Sequence, residues 1–174
     1  MKKIGLVTFA LAVFATVPAF ALTATTNVGV SANIANTCTI ANTAVGLGTY
    51  DPIVANLTLP LQQAGTVTIT CTKGATTTLS LGLGTHVTGT QRRMSDGVPN
   101  YMSYELYQPP NNTPGTACSY TAPTVWGTAG VNLFAPAAAP SKAARTYNIC
   151  GEVAGGQDLP AGSYTDTVVA TVNF

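Results

Sequence analysis

Apolar side chains recur at every second position in short runs along this chain, and proline or glycine clusters end each run before a helical period could establish itself. The run from Gly65 to Cys71 is the clearest, with Val67, Ile69 and Cys71 separated by Thr66, Thr68 and Thr70. That is the period of a strand with one buried and one wet face. Leu79, Leu81 and Leu83 alternate with Ser80 and Gly82, and Met102, Tyr104 and Leu106 alternate with Tyr101, Ser103, Glu105 and Tyr107. Further strands are predicted near Thr146 to Val153 and at the C-terminal end, where Tyr164, Val168, Ala170, Val172 and Phe174 share one side. Ser95-Asp96-Gly97, Pro109-Pro110-Asn111-Asn112, Pro114-Gly115 and Leu159-Pro160-Ala161-Gly162 supply the backbone angles of turns. The Ala- and Pro-rich stretch from Ala135 to Ala144 reads as a loop. Short strands punctuated in this way predict an all-β sandwich or small barrel.

Composition agrees, because only 7% of residues are charged, too few for helices built from Glu and Lys, while Thr and Val suit strands. Residues 1–21 have the build of a secretory signal peptide. Lys2 and Lys3 lead an apolar run from Ile4 to Val17 that closes on Ala19-Phe20-Ala21. At about 14 residues the run is shorter than the roughly 20 that span a bilayer. Removing 21 of 174 residues leaves 153, enough for one domain with a real core. Without Lys2 and Lys3, five Lys and Arg face six Asp and Glu, a balance that argues against nucleic acid as a partner.

Cys38, Cys71, Cys118 and Cys150 therefore lie in a chain addressed to an oxidising compartment, where three pairings are possible. Joining Cys38 to Cys71 and Cys118 to Cys150 keeps each pair close in sequence and gives each half one cross-link. No CxxC spacing occurs and His86 is the sole histidine, so neither a metal site nor a cofactor is expected. The six acids are scattered and no glycine-rich phosphate loop is present. An enzyme is not expected.

One segment does not suit a self-contained domain. Between Leu22 and Thr37, Val28, Val30, Ala32 and Ile34 occupy alternate places, with Gly29, Ser31 and Asn33 between them. A free terminal arm gains nothing by exposing such a row to water. The row could be the first strand of the chain's own sheet. Alternatively, with the sequence stopping at Phe174 and so leaving a long apolar edge strand, it could pair with that edge in a neighbouring molecule. One arm and one groove per molecule would make a directional contact that propagates as a filament. Ala32 supplies little apolar surface for this purpose, and Gly29 adds backbone entropy.

In this order the motifs resemble the spore coat protein U domain family, which includes pilin subunits of the archaic, Csu-type chaperone-usher pathway. The marks are Val28-x-Val30-x-Ala32-x-Ile34 before Cys38, Val67-Thr68-Ile69-Thr70-Cys71, Arg92-Arg93-Met94 and Tyr104-Glu105-Leu106-Tyr107. The most specific is Gly162-Ser163-Tyr164-Thr165-Asp166-Thr167-Val168 running to Thr171-Val172-Asn173-Phe174. The resemblance implies an incomplete immunoglobulin-like β-sandwich over residues 36–174, completed by a donor strand, with the donor arm in residues 22–35. It also implies export through the periplasm and a place in an extracellular cell-surface fimbrium, serving adhesion or biofilm formation. The implied partners are a periplasmic chaperone, an outer-membrane usher and other pilin subunits. Val28, Val30, Ala32 and Ile34 would be the donor side chains. Val168, Ala170, Val172 and Phe174 would form the acceptor edge that the chaperone also binds, with the terminal carboxylate as an anchor. The family pattern agrees with the Cys38 to Cys71 bridge. The competing reading is a secreted monomeric β-sandwich, a coat or ligand-binding module, with Tyr101, Tyr104, Tyr107, Tyr120 and Trp126 available for a ligand-facing surface.

Overall fold

The computed structural model describes residues 20–174. The predicted signal segment lies outside the described residues except at its end. The chain divides at Asn33 and Ile34 into two units. Residues 20–37 carry no strand, and among the described residues no helix is long and apolar enough to cross a membrane.

The second unit is all-β, as the alternation predicts. Its strands are β1 (Cys38–Thr43), β2 (Leu61–Cys71), β3 (Thr78–Leu81), β4 (Arg92–Ser95), β5 (Tyr101–Tyr107), β6 (Arg145–Val153) and β7 (Ala170–Asn173). One antiparallel sheet has the order β1-β2-β6-β5-β4, and a smaller one pairs β3 with β7. Inward residues of both sheets, including Val67, Ile69, Leu79, Leu81, Leu106, Tyr147 and Val153, enclose one core. Trp126 fastens the layers together. Its backbone N–H donates to the Leu106 carbonyl at 2.8 Å and its Nε1 to the Leu79 carbonyl at 3.0 Å. Phe134 packs between Trp126 and Tyr147, with both ring-centroid separations at 5.1 Å. Cys38 is bonded to Cys71 and Cys118 to Cys150. These are the sequence-adjacent pairs.

Three details depart from the periodic reading. β3 ends at Leu81, so Leu83 lies outside it, and Ser80 is buried instead of facing water. The C-terminal segment keeps alternating burial from Tyr164 to Val172, but its ladder with β3 covers only Ala170 to Asn173. Phe174 falls past the pair of Thr78 with Asn173 and is 57% exposed, because no backbone lies beside it to hold its side chain inward. Asn56 is buried, its Oδ1 accepting from the Asp51 N–H at 3.0 Å and its Nδ2 donating to the Leu59 carbonyl at 3.2 Å.

Candidate functional site: an open seam between two sheet edges

β1 is the edge of the large sheet, and β7 is bonded to β3 on one side only. Among the described residues no backbone group pairs with the outer edge of either strand. The register of β1 shows what this does to the core. Ile40 stands opposite Ile69, so the two side chains point to the same face of the sheet. Ile69 is fully buried whereas Ile40 is 38% exposed. The core is therefore closed over β2 and open over β1.

The opening is a groove of about 460 Å³. One wall is the chain from Ile40 to Leu47, the other is the segment from Tyr164 to Ala170, and Leu81, Met94, Tyr104, Leu106 and Ile149 form its floor. A second hollow of about 590 Å³ adjoins it, sharing Val45, Leu47, Met94 and Tyr164. Two glycines shape the first wall. A Cβ at Gly65 would stand 2.8 Å from the Thr43 carbonyl and 2.9 Å from the Val45 nitrogen. A Cβ at Gly151 would collide with the Val45 side chain. The bare backbone at these two positions lets the chain after β1 turn over the inner face of β2 and β6, with Val45 and Leu47 half-buried.

The second wall is held from both sheets. Thr165 exchanges two 2.9 Å backbone hydrogen bonds with Ser95 at the edge of β4. Farther along, the Gly82 N–H donates to the Val169 carbonyl at 2.9 Å, and β7 follows. Among the described residues Asp166 is the one charged group lining the groove. Its Oδ1 accepts from the Thr85 N–H at 2.8 Å, the Thr85 hydroxyl at 2.6 Å and the Thr167 N–H at 2.8 Å. Its Oδ2 accepts from the Tyr104 hydroxyl at 2.7 Å. Burial opposes ionisation of Asp166, but the bonds from Thr85, Tyr104 and Thr167 outweigh it and hold the carboxyl below its ordinary value of 3.8. Burial first, and then the bond to Asp166, push the Tyr104 hydroxyl far above its usual range, so it remains a neutral donor.

Behind the groove floor lies a feature that periodicity does not reveal. Arg92 is completely buried. It donates to the carbonyls of Gly82 (2.7 and 3.0 Å), Leu81 (3.1 Å) and Trp126 (2.6 Å), and it forms an ion pair with Glu105. A guanidinium is suited to this position because its planar fork reaches several acceptors at once. The Arg92-Arg93-Met94 motif could have flagged it, since one of two adjacent cations on a strand must point inward.

Of the site residues expected from the sequence, Val168 and Ala170 line the groove, and Val172 packs against the core just beyond it. Phe174 does not line the groove. Val28, Val30 and Ile34 are 82%, 91% and 83% exposed, and Ala32 is exposed as well. Ile40, Val45 and Leu47 were missed as groove residues, and the alternation of Val45 and Leu47 was their only signal. His86 sits in a turn, its carbonyl accepting from Arg93 Nε at 3.0 Å. Among the described residues no three His, Cys, Asp or Glu side chains are grouped as a metal site.

The fold and the groove define a disulfide-bonded β-sandwich whose core is left open along one seam. The chain matches the Spore Coat Protein U domain over residues 24–171 and belongs to that family, as its motifs implied. It is 34% identical to Protein U of Myxococcus xanthus over 98% of this chain and 96% of that protein. It is also similar to a crystal structure of the chaperone-tip adhesion subunit pre-assembly complex from the archaic chaperone-usher Csu pili of Acinetobacter baumannii. That likeness has 21% identity and a TM-score of 0.47, and it covers 81% of this chain and 40% of that one.

Proposed function

We propose that the chain is a structural subunit of a bacterial cell-surface fibre in which residues 28–34 of one copy fill the seam of the next. A periplasmic chaperone occupies the seam first, and an outer-membrane usher exchanges it for the incoming arm, delivering a fimbrium that serves adhesion or biofilm formation. The observation behind this reading is the half-exposed Ile40 opposite a fully buried Ile69, in a groove bounded by two unpaired strand edges. Such edges recruit a strand, and the exposed alternating arm of the same sequence has the pattern to supply one. Residues 24–34 span roughly 35 Å when extended. Burying Val28, Val30 and Ile34 contributes about 5 to 9 kcal/mol, to which about ten backbone hydrogen bonds add. The reading assigns no catalysis to the chain. The monomeric, aromatic-lined binding module gains little support, because Trp126 and Tyr104 are core residues.

Deletion of residues 22–35 tests the proposal. The shortened chain should be soluble only when held by its chaperone and should not polymerise. If it folds cooperatively as a monomer, as stable as the intact chain and with no helper present, the donor-strand reading is wrong. Two substitutions separate the two ends of the molecule. Val30→Asp should spare chaperone capture and block donation, whereas Val172→Asp should block capture; co-purification with the chaperone reads capture, and polymer yield reads donation.

A further inference from the structure

The groove wall presents Tyr164, Asp166, Val168 and Ala170 inward, at alternate positions, so an otherwise apolar row contains one carboxylate. That carboxylate cannot swing aside. Four hydrogen bonds from Thr85, Thr167 and Tyr104 hold it, and Gly84, at φ +86°, is so close that a Cβ there would collide with it. A large apolar side chain laid over an ionised carboxylate strips its remaining water without offering a partner. A small one leaves room for that water. The arm's own inward row, Val28, Val30, Ala32 and Ile34, contains one small member.

From this match, which rests on the donor-strand reading above, we propose that Asp166 sets the register of the incoming arm. The arm runs antiparallel to residues 164–173 with Ala32 over Asp166. Val28 then lies over Ala170, Val30 over Val168 and Ile34 over Tyr164, large against small where the wall is smallest. A parallel arm covering the same four positions puts Val30 over the carboxylate. An antiparallel arm displaced by one pair puts Val30 or Ile34 there. A parallel arm displaced to bring Ala32 over Asp166 leaves Ala170 uncovered. The weak-looking Ala32 is thus the residue that specifies the fit.

Cysteine cross-linking in full-length chains, co-expressed with their chaperone and usher, tests the register. Gly29→Cys is combined in turn with Ser163→Cys, Thr165→Cys, Thr167→Cys, Val169→Cys and Thr171→Cys, all of which are exposed positions, and disulfide-linked ladders are read on non-reducing gels. A ladder confined to the Val169 pair supports the inference. A ladder at Ser163, Thr165, Thr167 or Thr171 overturns it and leaves donor-strand exchange standing. No ladder at any of the five overturns the donor-strand reading itself. Separately, Ala32→Leu should lower polymer yield about tenfold through the buried carboxylate, and adding Asp166→Asn should restore most of it. Undiminished assembly of the Ala32→Leu chain, or no recovery in a folded double variant, refutes the role given to the charge.

Discussion

Replacing Arg92 with Met is expected to remove more stability than any surface substitution in this chain, and the structure indicates how much. The side chain is fully buried, and its loss leaves the carbonyls of Leu81, Gly82 and Trp126 without this donor and Glu105 without its countercharge. Breaking a buried ion pair from one side costs about 3 to 5 kcal/mol. The Glu105 side chain retains 21% exposure, so water partly compensates it and the lower end, about 3 kcal/mol, applies. For a domain of this size that corresponds to about 10 °C in Tm. Trp126 is the only tryptophan and accepts one of the Arg92 bonds through its carbonyl, so urea unfolding followed by its fluorescence reports on the affected region. The unfolding is measured on chains whose seam is filled, in fibres or with chaperone bound. Because much of the cost comes from the stranded carboxylate, adding Glu105→Gln to Arg92→Met should recover about 1 to 2 kcal/mol. A single variant within about 1 kcal/mol of the parent, or two substitutions whose effects simply add, would refute the reasoning.

Gly65→Ala should destabilise the chain by about 1 to 3 kcal/mol, because its Cβ meets the backbone of Thr43 and Val45; thermal unfolding measures this, and a neutral result would mean that the wall after β1 shifts freely. Asp166 has a folded-state value below its ordinary 3.8, so its contribution is fully present above that value and is lost as pH falls through the folded value. The urea midpoint should therefore fall less between pH 7 and pH 2 in Asp166→Asn than in the parent, and an identical fall would exclude the carboxylate as a source of acid sensitivity. The disulfides separate residues 33 and 32 apart, so replacing either pair by Ser should cost a similar amount, about 3 to 4 kcal/mol by chain entropy. Losing Cys38–Cys71 should impair fibre assembly more, because that bond anchors β1 at the seam; equal assembly by both variants would show that the edge strand needs no such anchor.

The sequence by itself determined the strand class and most of the core. Val67, Ile69, Met102, Tyr104 and Leu106 are buried where a two-residue period places them, since alternation along a strand is a local property of extended backbone. It also brought out the arm's apolar row, while leaving open whether that row is a first strand of its own sheet or one lent to a neighbour. Which inward residues remain uncovered was not legible, because coverage depends on what lies across the sandwich. Ile40 and Ile69 read alike in sequence, and only the edge position of β1 leaves one of them in water. The burial of Arg92 and the bonds that hold Asp166 were not legible for the same reason. Their burial and bonds come from Thr85, Tyr104, Glu105 and Trp126, residues 13 to 81 positions away, and a charge can be held inside only after folding has gathered its partners around it.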